Sequence, residues 1–370
     1  MGNRFFAAFF FHNTDSLKGL LSEALKTCYD GVMFDNTKLR KMLLHGGDLT
    51  AAAQEFGVAE ADLIDLSTGI NPSLYPHIEV SERALRMLPT PGDVENLLAA
   101  AQEFYRAPAS SSIIAAPGTQ AVLQNLPLLY PGRDVAILSP TYSEHGHTWG
   151  SAGNTVTPVS EFDDLSQGDI AVLVNPNNPD GRRYQPDDIL KLAEDVDLLI
   201  IDEAFCDASP ELSLVPHLKG QNILVLCSLG KFFGLAGLRL GFVIGASDIT
   251  TVLSDRLGPW AVSGPAIEIG ARALADDIWI AETVSDLAVK ATRLNDLLQA
   301  CGLSIAGGAE LFTLIETGQA QAIYQGLGRA GVLVRRFEDQ PNWLRIGLPG
   351  ADGEWEKLAT ALSAIDNMGE

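Results

Sequence analysis

The chain is poor in cysteine, in positive charge and in long apolar runs. Its four cysteines, Cys28, Cys206, Cys227 and Cys301, show no C-x-x-C spacing and no nearby histidine pairing. That excludes a disulfide framework and a zinc module, and it predicts reduced core thiols in a cytoplasmic protein. His145 and His147 lie close together, but nothing around them completes a metal site, so both read as ordinary loop or helix residues and no metal is expected. Lys and Arg number 25 against 47 Asp and Glu, a net charge of −22 spread along the chain. A field of that sign repels phosphate backbones and excludes nucleic acid as a partner. No run approaches the roughly 18–20 apolar residues of a membrane span, so no membrane partner is expected. The stretch from Phe5 to Phe11 is at the lower length limit of a signal peptide and lacks a small-x-small cleavage site. Phe6 stands where myristoylation after Met1-Gly2 requires Ser or Thr. No repeat and no low-complexity tract is visible.

What is present is a regular alternation. Hydrophobic residues make up 46% of the 370, ample for a large core. Val135 to Ser139, Ile170 to Asn175, Leu198 to Asp202, Ile223 to Ser228 and Leu240 to Gly245 are short runs rich in Ile, Leu and Val. Such runs predict strands buried on both faces. Helical stretches such as 119–129 and 186–195 lie between them, so the expected fold class is α/β, with a mainly parallel sheet covered by helices. After Pro265 a helical region runs to about residue 301, and Leu311 to Glu316, Val332 to Arg335 and Trp343 to Leu348 read as strands of a smaller α+β domain. Residues 1–41 differ. Leu17, Leu20, Leu21, Ala24 and Leu25 follow helical spacing behind Thr14 and Asp15, yet every chemical motif starts at His45 or later. The expectation there is a poorly ordered extension of unclear role.

Chemistry gathers at the ends of the buried strands, where open α/β sheets bind ligands. Asn175-Pro-Asn-Asn-Pro-Asp-Gly181 follows one strand, Asp202-Glu-Ala-Phe205 ends the next, and Ser228-Leu-Gly-Lys231 ends a third, with Arg239 eight residues on. Each alone has an ordinary reading: a turn, a helix cap, a solvated lysine. All three in this order at strand ends point to a ligand site.

This constellation resembles the fold type I, aspartate-aminotransferase-like enzymes that use pyridoxal phosphate (PLP), over about residues 45–365. Within that family the chain is similar to the histidinol-phosphate aminotransferase branch, and inside it to the threonine-phosphate decarboxylases of cobalamin synthesis. The residues behind the finer resemblance are His45-Gly-Gly-Asp48, Asp65-Leu-Ser-Thr-Gly-Ile-Asn-Pro72, Pro140-Thr-Tyr-Ser-Glu-His145, Asp202-Glu-Ala-Phe205, Gly230-Lys-Phe-Phe-Gly-Leu-Ala-Gly-Leu-Arg-Leu-Gly241 and Leu257-Gly-Pro-Trp-Ala-Val-Ser-Gly264. The resemblance implies four stretches: the extension 1–41, a segment 42–89 contributing to the small domain and the active site, a large PLP-binding domain 90–275, and a C-terminal small domain 276–370.

It also implies roles. Lys231 would bind the cofactor covalently and then act as acid and base. Asp202 would pair with the pyridinium nitrogen, Asn178 with the ring hydroxyl, and Tyr142 would stack on the ring. Gly118, Thr119 and Gln120 open a helix whose N–H groups can face an anion, and Ser228 and Arg239 would complete that phosphate cradle. Arg345 matches the family's carboxylate-binding arginine and Arg335 a position linked to substrate phosphate, although either could be a surface arginine. His45 and Gly46 would lie over the substrate, and Gly69 would allow close backbone approach. Two positions depart from the family: Phe205 stands where many relatives carry Tyr, and Leu88-Pro-Thr-Pro91 replaces a Tyr-Pro-Asp-Pro segment that reaches the neighbouring subunit.

The expected activity is decarboxylation of a small phosphorylated amino acid, L-threonine O-3-phosphate, by a homodimer. The rival within the family is a histidinol-phosphate-type aminotransferase, which needs nearly the same residues. A rival of another class, a non-catalytic PLP-binding regulator, is disfavoured by Lys231 and by the absence of a basic DNA-binding segment.

Overall fold

The computed structural model describes residues 46–366; the expectations for residues 1–41 and for His45 lie outside the described residues. The strands are β1 (Ile64–Asp65), β2 (Ser112–Ala116), β3 (Asp134–Leu138), β4 (Thr155–Val159), β5 (Ile170–Val174), β6 (Leu198–Asp202), β7 (Ile223–Ser228), β8 (Gly241–Gly245), β9 (Ile305–Ala309), β10 (Phe312–Glu316), β11 (Val332–Leu333), β12 (Arg335–Arg336) and β13 (Trp343–Gly347).

Seven of them form the large sheet, in the order β2-β8-β7-β6-β5-β3-β4. The run from β7 to β4 is parallel, and β8 lies antiparallel to both β7 and β2. Strands β5, β6 and β8 are buried along their whole length, as expected for a sheet covered on both faces. The period-two alternation of strand side chains divides the core. Ala171, Leu173, Leu199, Ile201 and Val225 point to one face, while Ile170, Val172, Leu198, Ile200 and Leu224 point to the other. The second face is closed by Val122 and Leu123, Trp149 and Leu253, which sit on the helices Thr119–Asn125, Ser143–Ser151 and Ser247–Leu257. The first is continuous with the core of the C-terminal region through Phe312, Ile315, Leu344 and Ile346.

That region is built on a four-stranded antiparallel sheet, β12-β13-β10-β9. β1 pairs parallel with β11, so the chain just after the first motif joins the C-terminal elements. The helical region after Pro265 is two helices, Gly264–Leu274 and Asp277–Ala300, the second capped by the Asp276 carboxylate accepting from Trp279 N–H. Asp276 is a favoured N-cap residue type, and its cap restarts the helix after Ala275. Among the described residues, no helix is long and apolar enough to cross a membrane.

Candidate active site

β5 ends in the Asn-Pro turn, β6 ends on Asp202, and β7 leads to Lys231. The Lys231 amine donates to the carbonyl of Thr68 at 3.1 Å and stands 5.3 Å from the centre of the Phe205 ring. Burial, followed by the charge of Arg345, pulls this amine down to about 8, although Asp202 opposes the shift. A lysine so tuned is largely neutral a little above that pH, which is what a nucleophilic amine needs.

Asp202 is 4% exposed, and its Oδ2 lies 2.9 Å from His145 Nε2. Its other oxygen accepts from Ala204 N–H at 3.0 Å. His145 is fully buried, and its Nδ1 has no protein partner. It is therefore no ordinary loop or helix residue: the helix Ser143–Ser151 drives it under the sheet end to hold the Asp202 carboxylate. Sequence reasoning missed it because the partner lies 57 positions away; the available signal was its place in Pro140-Thr-Tyr-Ser-Glu-His145.

The neighbouring Tyr142 ring meets His145 edge-on, with centroids 6.0 Å apart. Its hydroxyl donates to Gln120 Oε1 at 3.3 Å, while Gln120 Nε2 donates to the buried Glu144 carboxylate at 2.5 Å. Burial, aided by Glu144 and Asp202, pushes the Tyr142 phenol up to about 12, so it stays protonated. The Gln120 side chain is thus committed to protein partners, and only its main chain is free to serve an anion. Gly118 caps this helix at φ +79°, a conformation glycine adopts freely. A Cβ there would lie 2.5 Å from Arg239 Nη2, so the same glycine makes room for the guanidinium beside the helix start. Thr119 and Gln120 N–H have no intrahelical acceptor at this position. The Ser228 hydroxyl, at the end of β7, accepts from Gly230 N–H at 3.3 Å.

Arg345 on β13 is 4% exposed. It donates to Asn178 Oδ1 and, at 2.6 Å, to the carbonyl of Ser67, and it packs over the Phe312 ring. Asn178 is free to take this role because Asn175 and Asn177 hold the turn, through Tyr184 and through Thr141 and Asp180. Arg335 on β12 is the direct cross-strand partner of Arg345, so the two guanidinium groups leave the same face of the sheet. Burial and then Arg335 draw Arg345 down to about 9; burial also lowers Arg335. Among the described residues, neither guanidinium forms an ion pair with a carboxylate. Arg345 Nε is buried without a partner.

The remaining predicted residues fall on the strip that joins these groups. A Cβ on Gly69 would lie 3.2 Å from both Phe205 and Phe312. Gly46 packs against Ser67, and Gly47 N–H donates to the Ser67 hydroxyl at 2.9 Å. The structure thus brings together Lys231, Asp202, Asn178, Tyr142, Gln120, Gly118, Arg239, Arg335 and Arg345. Lys231, Arg239, Arg335 and Arg345 share a space with the carboxylates of Asp202 and Asp65, and Glu338 acts on Arg335; cations predominate, as suits a site for anionic molecules.

The sequence model of the aminotransferase class I and II family matches residues 61–365. A threonine-phosphate decarboxylase of Sinorhizobium sp is 40% identical over 88% of this chain and 98% of its own length. One from Pseudomonas aeruginosa is 39% identical over 87% of this chain and 97% of its own length. Histidinol-phosphate aminotransferase from Sinorhizobium meliloti, solved in complex with pyridoxal-5'-phosphate, superposes with a TM-score of 0.75 at 20% identity, covering 92% of this chain and 99% of that one. The chain belongs to the aminotransferase class I and II family.

Proposed function

We propose that this chain is a PLP-dependent carboxy-lyase that converts L-threonine O-3-phosphate to (R)-1-amino-2-propanol O-2-phosphate. The observation that carries the reading is the cross-strand pair Arg335 and Arg345, two cations without carboxylate partners among the described residues, beside a lysine tuned to about 8. Identity of 40% with a threonine-phosphate decarboxylase along nearly its whole length supports the same substrate.

The residues fit PLP. Gly118, Thr119, Gln120 main chain, Ser228 and Arg239 would hold its phosphate, Asn178 its ring hydroxyl, Asp202 its ring nitrogen and Tyr142 its face. The observation behind the fit is the glycine at 118, which leaves the helix start open beside Arg239. When bound, PLP supplies an electron sink for the pair left when a bond to Cα breaks. Lys231 would hold the cofactor covalently and give way to the substrate amine. Arg345 would hold the substrate carboxylate and orient it for loss as CO2. Arg335, the less buried of the two, takes the phosphate. The freed Lys231 amine returns a proton to Cα. Asp202, held by His145 at 2.9 Å, would keep the ring nitrogen protonated.

The working form is a cytoplasmic homodimer. Leu85, Met87, Leu88 and Trp260 are exposed apolar side chains. Gly264, just beyond Trp260, packs closely on Ala84, so these side chains belong to adjoining segments that a second copy would cover. Sedimentation should give a dimer, and a fully active monomer would contradict this. For the reaction itself, purified protein given threonine phosphate should release CO2 in step with amine, with no 2-oxo acid present. A need for 2-oxoglutarate, with histidinol phosphate as the better substrate, would replace this reading by the aminotransferase.

A further inference from the structure

The strip from Asp65 to Tyr75 touches both functional ends of the site in succession. Leu66 bonds to Leu333 and to Gly347. The carbonyl of Ser67 receives Arg345 and that of Thr68 receives Lys231. Then the strip turns onto the lysine loop itself. Asn71 N–H donates to the carbonyl of Lys231 at 3.0 Å, and Asn71 Nδ2 donates to that of Phe232 at 2.8 Å. Tyr75 N–H donates to Phe233 at 3.0 Å. Three consecutive loop carbonyls are thus taken by one short segment. Asn71 is 3% exposed, and its Oδ1 accepts from Ser73 N–H at 2.8 Å, which fixes the amide orientation so that Nδ2 must donate.

We propose that Asn71 is a positioning residue for Lys231: by clamping the lysine's own carbonyl and the next one, it sets where the amine stands between Thr68, Phe205 and the charged groups of the cleft. Those groups are Asp202 at the end of β6, Arg345 on β13, Asp65 on β1 and Arg239 beyond the lysine loop. The amine's depth among them depends on the backbone from which it springs. The side-chain half of the clamp comes from Asn71 alone. Without it the loop keeps the Asn71 main-chain bond but can swing at Phe232, and the amine moves toward solvent. This inference rests on Lys231 being the cofactor-binding residue.

The test uses PLP-loaded full-length protein. Borohydride reduction and peptide mapping of the parent must first place PLP on Lys231; a label on another lysine overturns the functional reading and the positioning role with it. With Lys231 labelled, Asn71→Ala should move the pH midpoint of the visible absorption band by roughly half a unit or more, because the environment of the lysine nitrogen changes. It should lower kcat about tenfold while changing KM less than about threefold, since the proton return at Cα is what suffers. Asn71→Ser, which keeps a hydroxyl donor, should recover part of both. A midpoint unchanged in a folded Asn71→Ala variant overturns the proposal. So does failure of Asn71→Ser to fold, which would assign Asn71 to folding alone.

Discussion

Arg335 and Arg345 differ in what else they hold, and that difference makes their roles separable. The Arg335 guanidinium has no carboxylate partner among the described residues and rests over the Phe337 ring at 5.5 Å. On the proposed role, Arg335→Ala removes little but the contact with the substrate phosphate. Losing charge-assisted hydrogen bonds to a phosphate costs about 1.5–3 kcal/mol, or roughly ten- to 150-fold in kcat/KM. Arg345 also satisfies Asn178 and the buried carbonyl of Ser67. Arg345→Ala leaves both acceptors unpaired, adding about 1–3 kcal/mol of lost stability to the loss of carboxylate binding. The assay is CO2 release from threonine phosphate and from threonine, with each variant and the parent. Arg335→Ala should reduce kcat/KM for threonine phosphate and leave the poor activity on threonine nearly unchanged. Arg345→Ala should reduce both by similar factors. Equal losses on both substrates for Arg335→Ala, or an Arg345→Ala variant that spares either of them, would refute these roles.

Three further outcomes follow from the geometry. Uptake of PLP by PLP-free protein should accelerate as pH rises through about 8, where the Lys231 amine loses its proton, rather than near the ordinary lysine value of 10.5; stopped-flow absorbance measures it. The sign for stability is the same: because the folded value is depressed, lowering the pH from above 10.5 toward 8 protonates the unfolded chain first and reduces stability. His145→Ala should strip Asp202 of its buried partner and lower kcat by about ten- to a hundredfold, with a shifted visible band, since a hydrogen bond to a charged group is worth roughly 1.5–3 kcal/mol. Gly181→Ala should destabilise the fold by about 3 kcal/mol or more in a denaturant titration, because its Cβ would stand 1.9 Å from the Gly308 carbonyl on β9 at φ +70°.

The sequence revealed what was continuous along the chain. Strands β5, β6 and β7 were visible because burial on both faces leaves an unbroken apolar run, and Lys231, Asp202 and Asn178 were visible because each sits beside such a run. The missed strands lack that mark. β2 and β4 are sheet edges with mostly half-exposed or exposed residues, and β4 carries Pro158; Pro is tolerated at an edge but interrupts the pattern. β9 contains Gly307 and Gly308 because the Asn-Pro turn comes against it backbone to backbone. The antiparallel sense of β8 left no trace in composition. Contacts between distant segments were equally silent: His145 on Asp202, Ser67 on Arg345, Asn71 on the Lys231 loop. Arg335 and Arg345 could be named from motif position, but nothing in a linear reading places them opposite one another.

That opposition has a thermodynamic consequence in a chain of net charge −22. In the cleft Lys231, Arg239, Arg335 and Arg345 gather around Asp65 and Asp202, with Glu338 acting on Arg335. The depressed values of Lys231 and Arg345 record the cost of holding cations together with little water around them. Such an arrangement trades stability for affinity, since replacing a poorly compensated charge with an apolar side chain is often neutral or stabilising. Arg335 is where the trade can be isolated, because its guanidinium has no hydrogen-bond or carboxylate partner among the described residues. Arg335→Met keeps the stem against Phe337 and deletes the charge. The variant should melt no lower than the parent, and threonine phosphate should no longer protect it strongly. In the parent, ligand at a hundred times its Kd should add about 2.7 kcal/mol, seen as a melting point raised by several degrees. Differential scanning calorimetry of both PLP-loaded proteins, with and without threonine phosphate, reads the two effects together. A variant that is clearly less stable alone, or one that threonine phosphate protects as fully as the parent, would mean that Arg335 is part of the packing rather than a cation held ready for the substrate.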